Sequence, residues 1–248
     1  MIRILAGALA LAALYAPPAW AIRPFDGELA EVVELHAIEL ELGPLEPVVA
    51  GAARSLVLPQ VQLDYGLLPE WAVVVRSRDT VAMGGEEAGN YRLEGAMAGV
   101  KGLVRSGSLQ GEAGPSVAVE AGALLPTWGA NMPGTLGGSF AGIISHRWGP
   151  VVVGADAEVF YSRSGHPGGF FSAIVEGPGW MGLRPVLELA GEDIVGEAPT
   201  YSALMGGTAT LGRDLSVDAG VRAGFGGPEA DLELRMGLTW LFMISSAR

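Results

Sequence analysis

The sequence predicts an all-β protein, a single antiparallel, up-and-down transmembrane β-barrel of about 12 strands that follows a cleaved signal peptide. Apolar and polar residues alternate over long stretches, and no segment after the N-terminus has the run of about 18 apolar residues typical of a transmembrane helix. Half of the 248 residues are hydrophobic, only 17% are charged, and the mean hydropathy is +0.37. A soluble surface carries charge on about 25–35% of its residues. We therefore expect the apolar face of the strands to meet lipid and the polar face to line a lumen.

The first 21 residues have the three parts of a secretory signal peptide. Arg3 supplies the positive charge, residues 4–15 form a short apolar stretch, and Ala19 and Ala21 are the small residues before the cleavage site. The apolar stretch is too short for a membrane anchor, which needs about 20 residues. The expected organisation is a signal peptide at residues 1–21, an outer-membrane barrel at 22–242 and a short tail at 243–248.

The strands are predicted from a period of two. In the last of them, Leu232, Leu234 and Met236 alternate with Glu233 and Arg235. Most of the stretches reach the length of about 9–11 residues that a tilted strand needs to cross a bilayer. The predicted strands are 31–42, 56–65, 71–81, 92–105, 116–125, 138–146, 151–162, 170–176, 182–190, 201–210, 215–225 and 231–242.

The predicted connections alternate in length, as in bacterial barrels with short periplasmic turns and longer outer loops. The short ones include 66–70, 147–150 and 211–214, and the long ones include 43–55, 82–91, 126–137 and 191–200. Some segments fit less well, which leaves ten or eleven strands open. Residues 28–35 also suit a short helix, and Pro59 and Pro185 interrupt predicted strands.

Aromatic residues lie near the predicted strand ends, where the aromatic girdles of membrane barrels are found, although soluble sheets also end on aromatic residues. They are Trp71, Trp128, Trp148, Trp180, Trp240 and Phe242.

Several short stretches resemble the outer-membrane barrels of the MetA-pathway of phenol degradation family. They are Gln62-Leu63-Asp64-Tyr65-Gly66-Leu67 with Glu70-Trp71-Ala72-Val73-Val74, Val186-Leu187-Glu188-Leu189-Ala190-Gly191, Ser216-Val217-Asp218-Ala219-Gly220-Val221 and Gly237-Leu238-Thr239-Trp240-Leu241-Phe242. The resemblance implies an outer-membrane barrel that passes small, often aromatic, compounds, and it implies no catalytic residues. Barrels of this kind usually end on an aromatic residue, whereas here six residues follow Phe242.

Strand parity predicts which charged side chains line the lumen, because a charge facing lipid costs about 2–4 kcal/mol at the bilayer midplane. These side chains could pair with one another and plug the barrel, or line a path that selects solutes. The candidates are Arg76, Glu120, Asp156, Glu158, Arg184, Glu188, Asp218, Arg222, Glu233 and Arg235.

No enzymatic motif stands out, and we expect no catalytic, cofactor or metal site. The three histidines, His36, His146 and His166, lack metal-ligand spacing, and the Ser145-His146 and Ser164–His166 proximities lack a nucleophile elbow. The glycine-rich stretch 220–227 lacks phosphate-loop spacing. The acidic pairs at 86–87 and 192–193 are expected to be solvated loops, with calcium binding as the alternative. With no cysteine and a net charge of -12, the chain has neither thiol chemistry nor the basic surface that nucleic acids require.

These observations predict a narrow passive channel in the bacterial outer membrane for small solutes, hydrophobic or aromatic ones included. Expected partners are membrane lipid, lipopolysaccharide, the barrel-assembly machinery and the solute. Two alternatives stay open, a non-conducting structural or partner-binding barrel and a secreted soluble barrel that binds lipid inside.

Overall fold

The computed structural model describes residues 24–51, 53–84, 89–126, 128–129, 134–226 and 231–244. The predicted signal peptide and residues 245–248 of the tail lie outside these ranges. The strands are β1 (Ala37–Gly43), β2 (Glu46–Ala50), β3 (Ala53–Leu68), β4 (Trp71–Ala82), β5 (Tyr91–Arg105), β6 (Ser116–Leu124), β7 (Trp128–Gly129), β8 (Gly137–Trp148), β9 (Val151–Tyr161), β10 (Pro167–Glu176), β11 (Leu183–Ile194), β12 (Thr200–Thr210), β13 (Leu215–Phe225) and β14 (Asp231–Met243).

Antiparallel pairing closes these strands into one barrel. Neighbours in sequence pair from β3 to β6 and from β8 to β14, and β6 pairs with β8. Both β1 and β2 pair with β3 on one side and with β14 on the other. Together they occupy one strand position of the barrel wall, and we call each such position a stave. The two-residue β7 pairs with β5 outside this path. Over the described ranges the barrel therefore has 12 staves, which confirms the predicted fold class.

The two faces of the wall differ as the alternation predicts. On β14, Leu232 and Leu234 are 52% and 43% exposed, whereas Glu233 and Arg235 between them are each 1% exposed. The same inversion, with apolar side chains outside and charged ones inside, holds on β11, where Leu187 and Leu189 flank the buried Glu188. In the described part of the chain, no helix is long and apolar enough to cross a membrane.

The barrel has two ends, which we call the turn end and the loop end. The turn end holds Ala37 and Met243, the outer limits of the barrel strands, and two-residue turns at 69–70 and 149–150. The predicted length asymmetry is weaker than expected. Strands β10 and β11 reach beyond their predicted limits, so the loop-end connections 162–166 and 195–199 have only five residues. The connection 106–115, by contrast, gives the turn end a ten-residue loop.

Proline does not reduce the strand count. Pro59 lies inside β3 at an irregularity in the pairing with β4, between Val57 and Gln60. Pro185 lies inside β11 opposite Gly207. A bulge tolerates a residue that cannot donate to the ladder.

Exposed aromatic side chains form a belt at each end. Four tryptophans lie at the turn end, Trp71, Trp148, Trp180 and Trp240. Tyrosine and phenylalanine dominate the loop end, at Tyr91, Tyr161, Tyr201 and Phe225. Trp240 packs against Phe242 with 4.4 Å between ring centroids. Such belts are typical of barrel surfaces at the two membrane interfaces.

One prediction is wrong at the N-terminus. The first strand was expected over residues 31–42, with a helix over 28–35 as the alternative, but β1 begins only at Ala37 and no helix forms. The residues before it run inside the barrel instead. The helix-type spacing of the apolar residues in 28–35 does not produce a helix, because wall side chains bind the backbone of residues 24–32 instead.

Candidate functional site

The lumen is threaded by an extended stretch of the chain, residues 24–32, which we call the threading segment. It starts in the loop-end half of the barrel, where Asp26 contacts β13 and β14, and it descends to Ala30, which contacts β8 near the turn end. Between them, Glu28 contacts β5 and β9. Because the segment contacts strands around the circumference of the barrel, it lies in the lumen that the wall encloses.

Wall side chains hold the backbone of the threading segment. The Glu188 carboxylate accepts hydrogen bonds from the amides of Asp26 at 2.9 Å and Gly27 at 2.7 Å. Asp156 accepts one from the amide of Glu28 at 2.9 Å. These side chains replace the ladder partners that the segment lacks, because a buried amide without a partner is costly.

The turn-end part of the segment is held in the same way. The Ser145 hydroxyl accepts a hydrogen bond from the amide of Ala30 at 2.9 Å. Gln110, from the connection 106–115, donates its side-chain amide to the carbonyl of Ala30 at 3.0 Å. The long turn-end connection therefore folds over the mouth of the lumen and contacts the segment.

Asp26 is clamped between two arginines. Its Oδ2 accepts from Nε of Arg222 at 2.9 Å and its Oδ1 from Nη2 of Arg235 at 2.6 Å. Arg235 also donates to the carbonyl of Pro24 at 2.7 Å. Charge-assisted bonds of this kind are roughly twice as strong as neutral ones.

A second ion cluster surrounds Glu28. Its carboxylate lies 2.6 Å from Nζ of Lys101 and 3.4 Å from Nη2 of Arg76. Arg76 also pairs with Glu120 on β6. Lys101 is almost fully buried, so its charge depends on these carboxylates for compensation.

Apolar side chains of the segment pack mainly in the turn-end half of the barrel. Phe25 and Leu29 of the segment form a buried cluster with wall residues of β9, β10, β11 and β12. Ala30 packs in a second cluster with Leu103, Ala118 and Ile143. Both polar and apolar contacts thus hold the segment inside the lumen.

A polar cavity of about 330 Å³ lies beside Asp26, toward the loop end. Besides Asp26, three arginines and three carboxylates of the wall line it: Arg78, Arg222, Arg235, Glu192, Asp231 and Glu233. Arg78 lies 2.8 Å from Glu233, and Arg222 lies 3.2 Å from Asp231. This cavity is large enough for a small solute, since ligand sites begin at about 300 Å³.

The ten predicted lumen candidates fall into distinct groups. Arg222, Glu233 and Arg235 meet around Asp26, and Arg76 and Glu120 meet beside Glu28. Asp156 and Glu188 hold the backbone of the segment. The other three lie apart from these contacts. Arg184 pairs with Glu176 at 3.3 Å. Glu158 lies on the same face of β9 as Asp156, and Asp218 lies on the buried face of β13.

Sequence reasoning missed several residues of the site. Lys101 and Arg78 lie at inward positions of predicted strands, so strand parity could have found them. Asp26 and Glu28 give no comparable signal. Their charged partners are 48 or more residues away in sequence.

The serine and histidine pairs have structural partners. Nδ1 of His146 lies 3.0 Å from the Ser108 hydroxyl, which also accepts the amide hydrogen of Arg147. Ser162 and Ser164 are joined at 2.8 Å within a turn. Among the described residues no group of three or more potential ligands could hold a metal ion. Glu86 and Glu87 lie outside the described residues.

Comparison with solved structures finds the same architecture in outer-membrane proteins. An outer membrane channel of the COG4313 group from Pseudomonas putida F1 aligns with a TM-score of 0.64 at 10% identity, covering 90% of this chain and 100% of that one. The NanC porin aligns with a TM-score of 0.57 at 7% identity, over 82% of this chain and 98% of that one. The KdgM porin aligns with a TM-score of 0.52 at 8% identity, over 83% and 99%.

The chain shares the barrel fold of these outer-membrane proteins. At such identities the likeness concerns the fold alone. No family model matches the sequence, and no curated protein matches it.

Proposed function

We propose that the chain is a passive channel for small solutes in the bacterial outer membrane, narrowed at rest by the threading segment. The observation that carries this proposal is the inverted wall, with lipid-type side chains outside and buried charges of both signs inside. The fold it shares with a channel and two porins agrees with this function.

The proposed mechanism is diffusion down a gradient. Polar side chains hydrate the path, and the ten lumen candidates set which solutes pass. Hydrogen bonds, ion pairs and buried apolar contacts hold the threading segment in the lumen, and its displacement widens the lumen. Hydrophobic or aromatic compounds are included among the solutes, as the family resemblance implies.

The processing and surroundings of the chain belong to the same proposal. Residues 1–21 direct export and are removed, which leaves a mature chain from residue 22. The exposed face contacts membrane lipid and lipopolysaccharide. The barrel-assembly machinery reads the final strand β14, whose exposed aromatic residue is Trp240.

A second candidate is a barrel that does not conduct. The threading segment favours it, because Leu29 and Ala30 are almost fully buried within the lumen. In that case the charges serve stability, and the loops or the body act on a partner or on the envelope.

Vesicle flux separates the two candidates. The mature chain, residues 22–248, is reconstituted into liposomes, and entry of a small neutral sugar is followed by swelling. Folding is checked first by the mobility of the unheated barrel on a gel. Swelling faster than that of protein-free vesicles supports the channel, and equal rates from folded protein favour the non-conducting barrel.

A further inference from the structure

We propose that the barrel binds a small carboxylate-bearing solute between Arg222 and Arg235, at the position where the Asp26 carboxylate now lies. This inference rests on the proposed channel function and names the chemical class of solute. The threading segment would then compete with the solute for one site.

The geometry of the two arginines is that of a carboxylate site. Nε of Arg222 and Nη2 of Arg235 donate to different oxygens of Asp26, at 2.9 and 2.6 Å. Two guanidinium groups from neighbouring strands β13 and β14 thus converge on one carboxylate. Guanidinium donors suit this arrangement because their planar forks match carboxylate oxygens.

Arg222 and Arg235, which we together call the clamp, also bind acidic residues of the wall. The clamp therefore keeps its arrangement when the segment is absent. Nη1 of Arg222 donates to Asp231 at 3.2 Å, and Nη2 of Arg235 also donates to Glu233 at 3.2 Å. Asp26 alone comes from the threading segment. Withdrawal of the segment would free Nε of Arg222 and one of the two contacts of Nη2 of Arg235, while Asp231 and Glu233 keep both guanidinium groups in place. The freed donors suit a new carboxylate.

Space for the rest of a solute adjoins the clamp. The cavity of about 330 Å³ is lined by both arginines and by Arg78, by the carboxylates of Glu192, Asp231 and Glu233, and by Val48, Phe170 and Ala190 as apolar walls. A carboxylate attached to a compact body with both polar and apolar edges fits these walls.

Asp26 acts as a tethered competitor. A short tether gives an effective concentration of roughly millimolar, so a free carboxylate must compete against it. The apparent affinity of the solute is reduced by the fraction of time for which the clamp is empty. Removing the Asp26 carboxylate should therefore strengthen solute binding.

Benzoate is the probe, with benzyl alcohol as its uncharged counterpart, and binding to the full mature chain in micelles is followed by NMR line broadening. The variants are Asp26→Ala, which empties the clamp, and Glu34→Ala, a matched control on an exposed carboxylate outside it. We expect Asp26→Ala to bind benzoate about tenfold more tightly than the wild type and Glu34→Ala. Benzyl alcohol should bind all three equally.

A double variant tests the clamp itself. Adding Arg222→Gln to Asp26→Ala should cancel the gain, because one of the two donors is lost. The proposal is overturned if Asp26→Ala binds benzoate no better than Glu34→Ala, if benzyl alcohol gains equally, or if Arg222→Gln leaves the gain unchanged. Benzoate binding without any vesicle flux would instead refute the channel and leave the clamp standing.

Discussion

Lys101 of the barrel wall and Glu28 of the threading segment form a salt bridge of 2.6 Å inside the lumen. Their side chains are 1% and 8% exposed, so the contact is shielded from solvent. The wall therefore supplies counter-charges for a piece of chain that forms no strand. Much of the charge in this lumen serves to hold that piece in place.

Replacing Lys101 with methionine should loosen the segment and destabilise the protein. Glu28 would lose its shortest ion pair and keep the longer contact to Arg76 at 3.4 Å, and loss of one partner of a buried pair costs up to about 3–5 kcal/mol. The free energy of unfolding in urea, measured in lipid vesicles, checks this.

Arg184→Met is the matched control, because Arg184 pairs with Glu176 at 3.3 Å and is 23% exposed. It should lower the free energy of unfolding less than Lys101→Met does, because partly exposed ion pairs contribute about 0–1 kcal/mol. Equal losses in the two variants would contradict the structural role given to Lys101.

Gly27→Ala should displace the threading segment from its position in the lumen. A Cβ at this position would lie 2.6 Å from the Cβ of Ser172, closer than side chains approach one another. Single-channel recording should show a higher conductance than in the wild type.

Two further variants interpret that result. Gly142→Ala adds the same methyl group where nothing lies within 4 Å, and it should leave conductance unchanged. Ser172→Gly combined with Gly27→Ala should restore much of the wild-type conductance. If Gly27→Ala conducts like Gly142→Ala, the segment does not limit the current.

A single cysteine can report whether the segment is docked, since the natural chain has none. Ala30→Cys should react with a water-soluble maleimide at least about tenfold more slowly than Glu34→Cys, because reaction at a buried site waits for opening. Ala30 is fully buried, whereas Glu34 is exposed. Similar labelling rates would show that the segment spends little time in the lumen.

Leu187→Arg tests which face meets lipid. Leu187 lies near the middle of β11 on the outer face, where an arginine costs about 2–4 kcal/mol at the bilayer midplane. Leu211→Arg, in a turn-end connection, should cost about 0–1 kcal/mol. Unfolding in lipid vesicles compares them, and equal stability would argue against a lipid-facing belt at Leu187.

The strands were predictable because the barrel wall is a single sheet. Successive side chains along a strand therefore alternate between the outer face and the lumen. Leu232, Glu233, Leu234 and Arg235 show this directly, since each neighbour in sequence faces the opposite environment. All twelve predicted strands overlap a stave of the barrel, even at Pro59 and Pro185. Strand limits were less accurate, because β10 and β11 continue into stretches that resemble loops.

The threading segment was not predictable in the same way. Asp26 and Glu28 are surrounded by side chains from several staves, so no single period describes their environment. Their partners Arg235 and Lys101 are separated from them by most of the chain and by 73 residues, respectively. Only the folded barrel brings these groups together.

The central claim is that the threading segment narrows a lumen that is wider without it. Single-channel conductance in planar bilayers tests it, comparing the mature chain with a variant that lacks residues 24–32, both shown to be folded and inserted. We predict discrete current steps that are clearly larger and longer-lived for the shortened chain. Equal conductance in the two proteins, or no current in either, would contradict the claim.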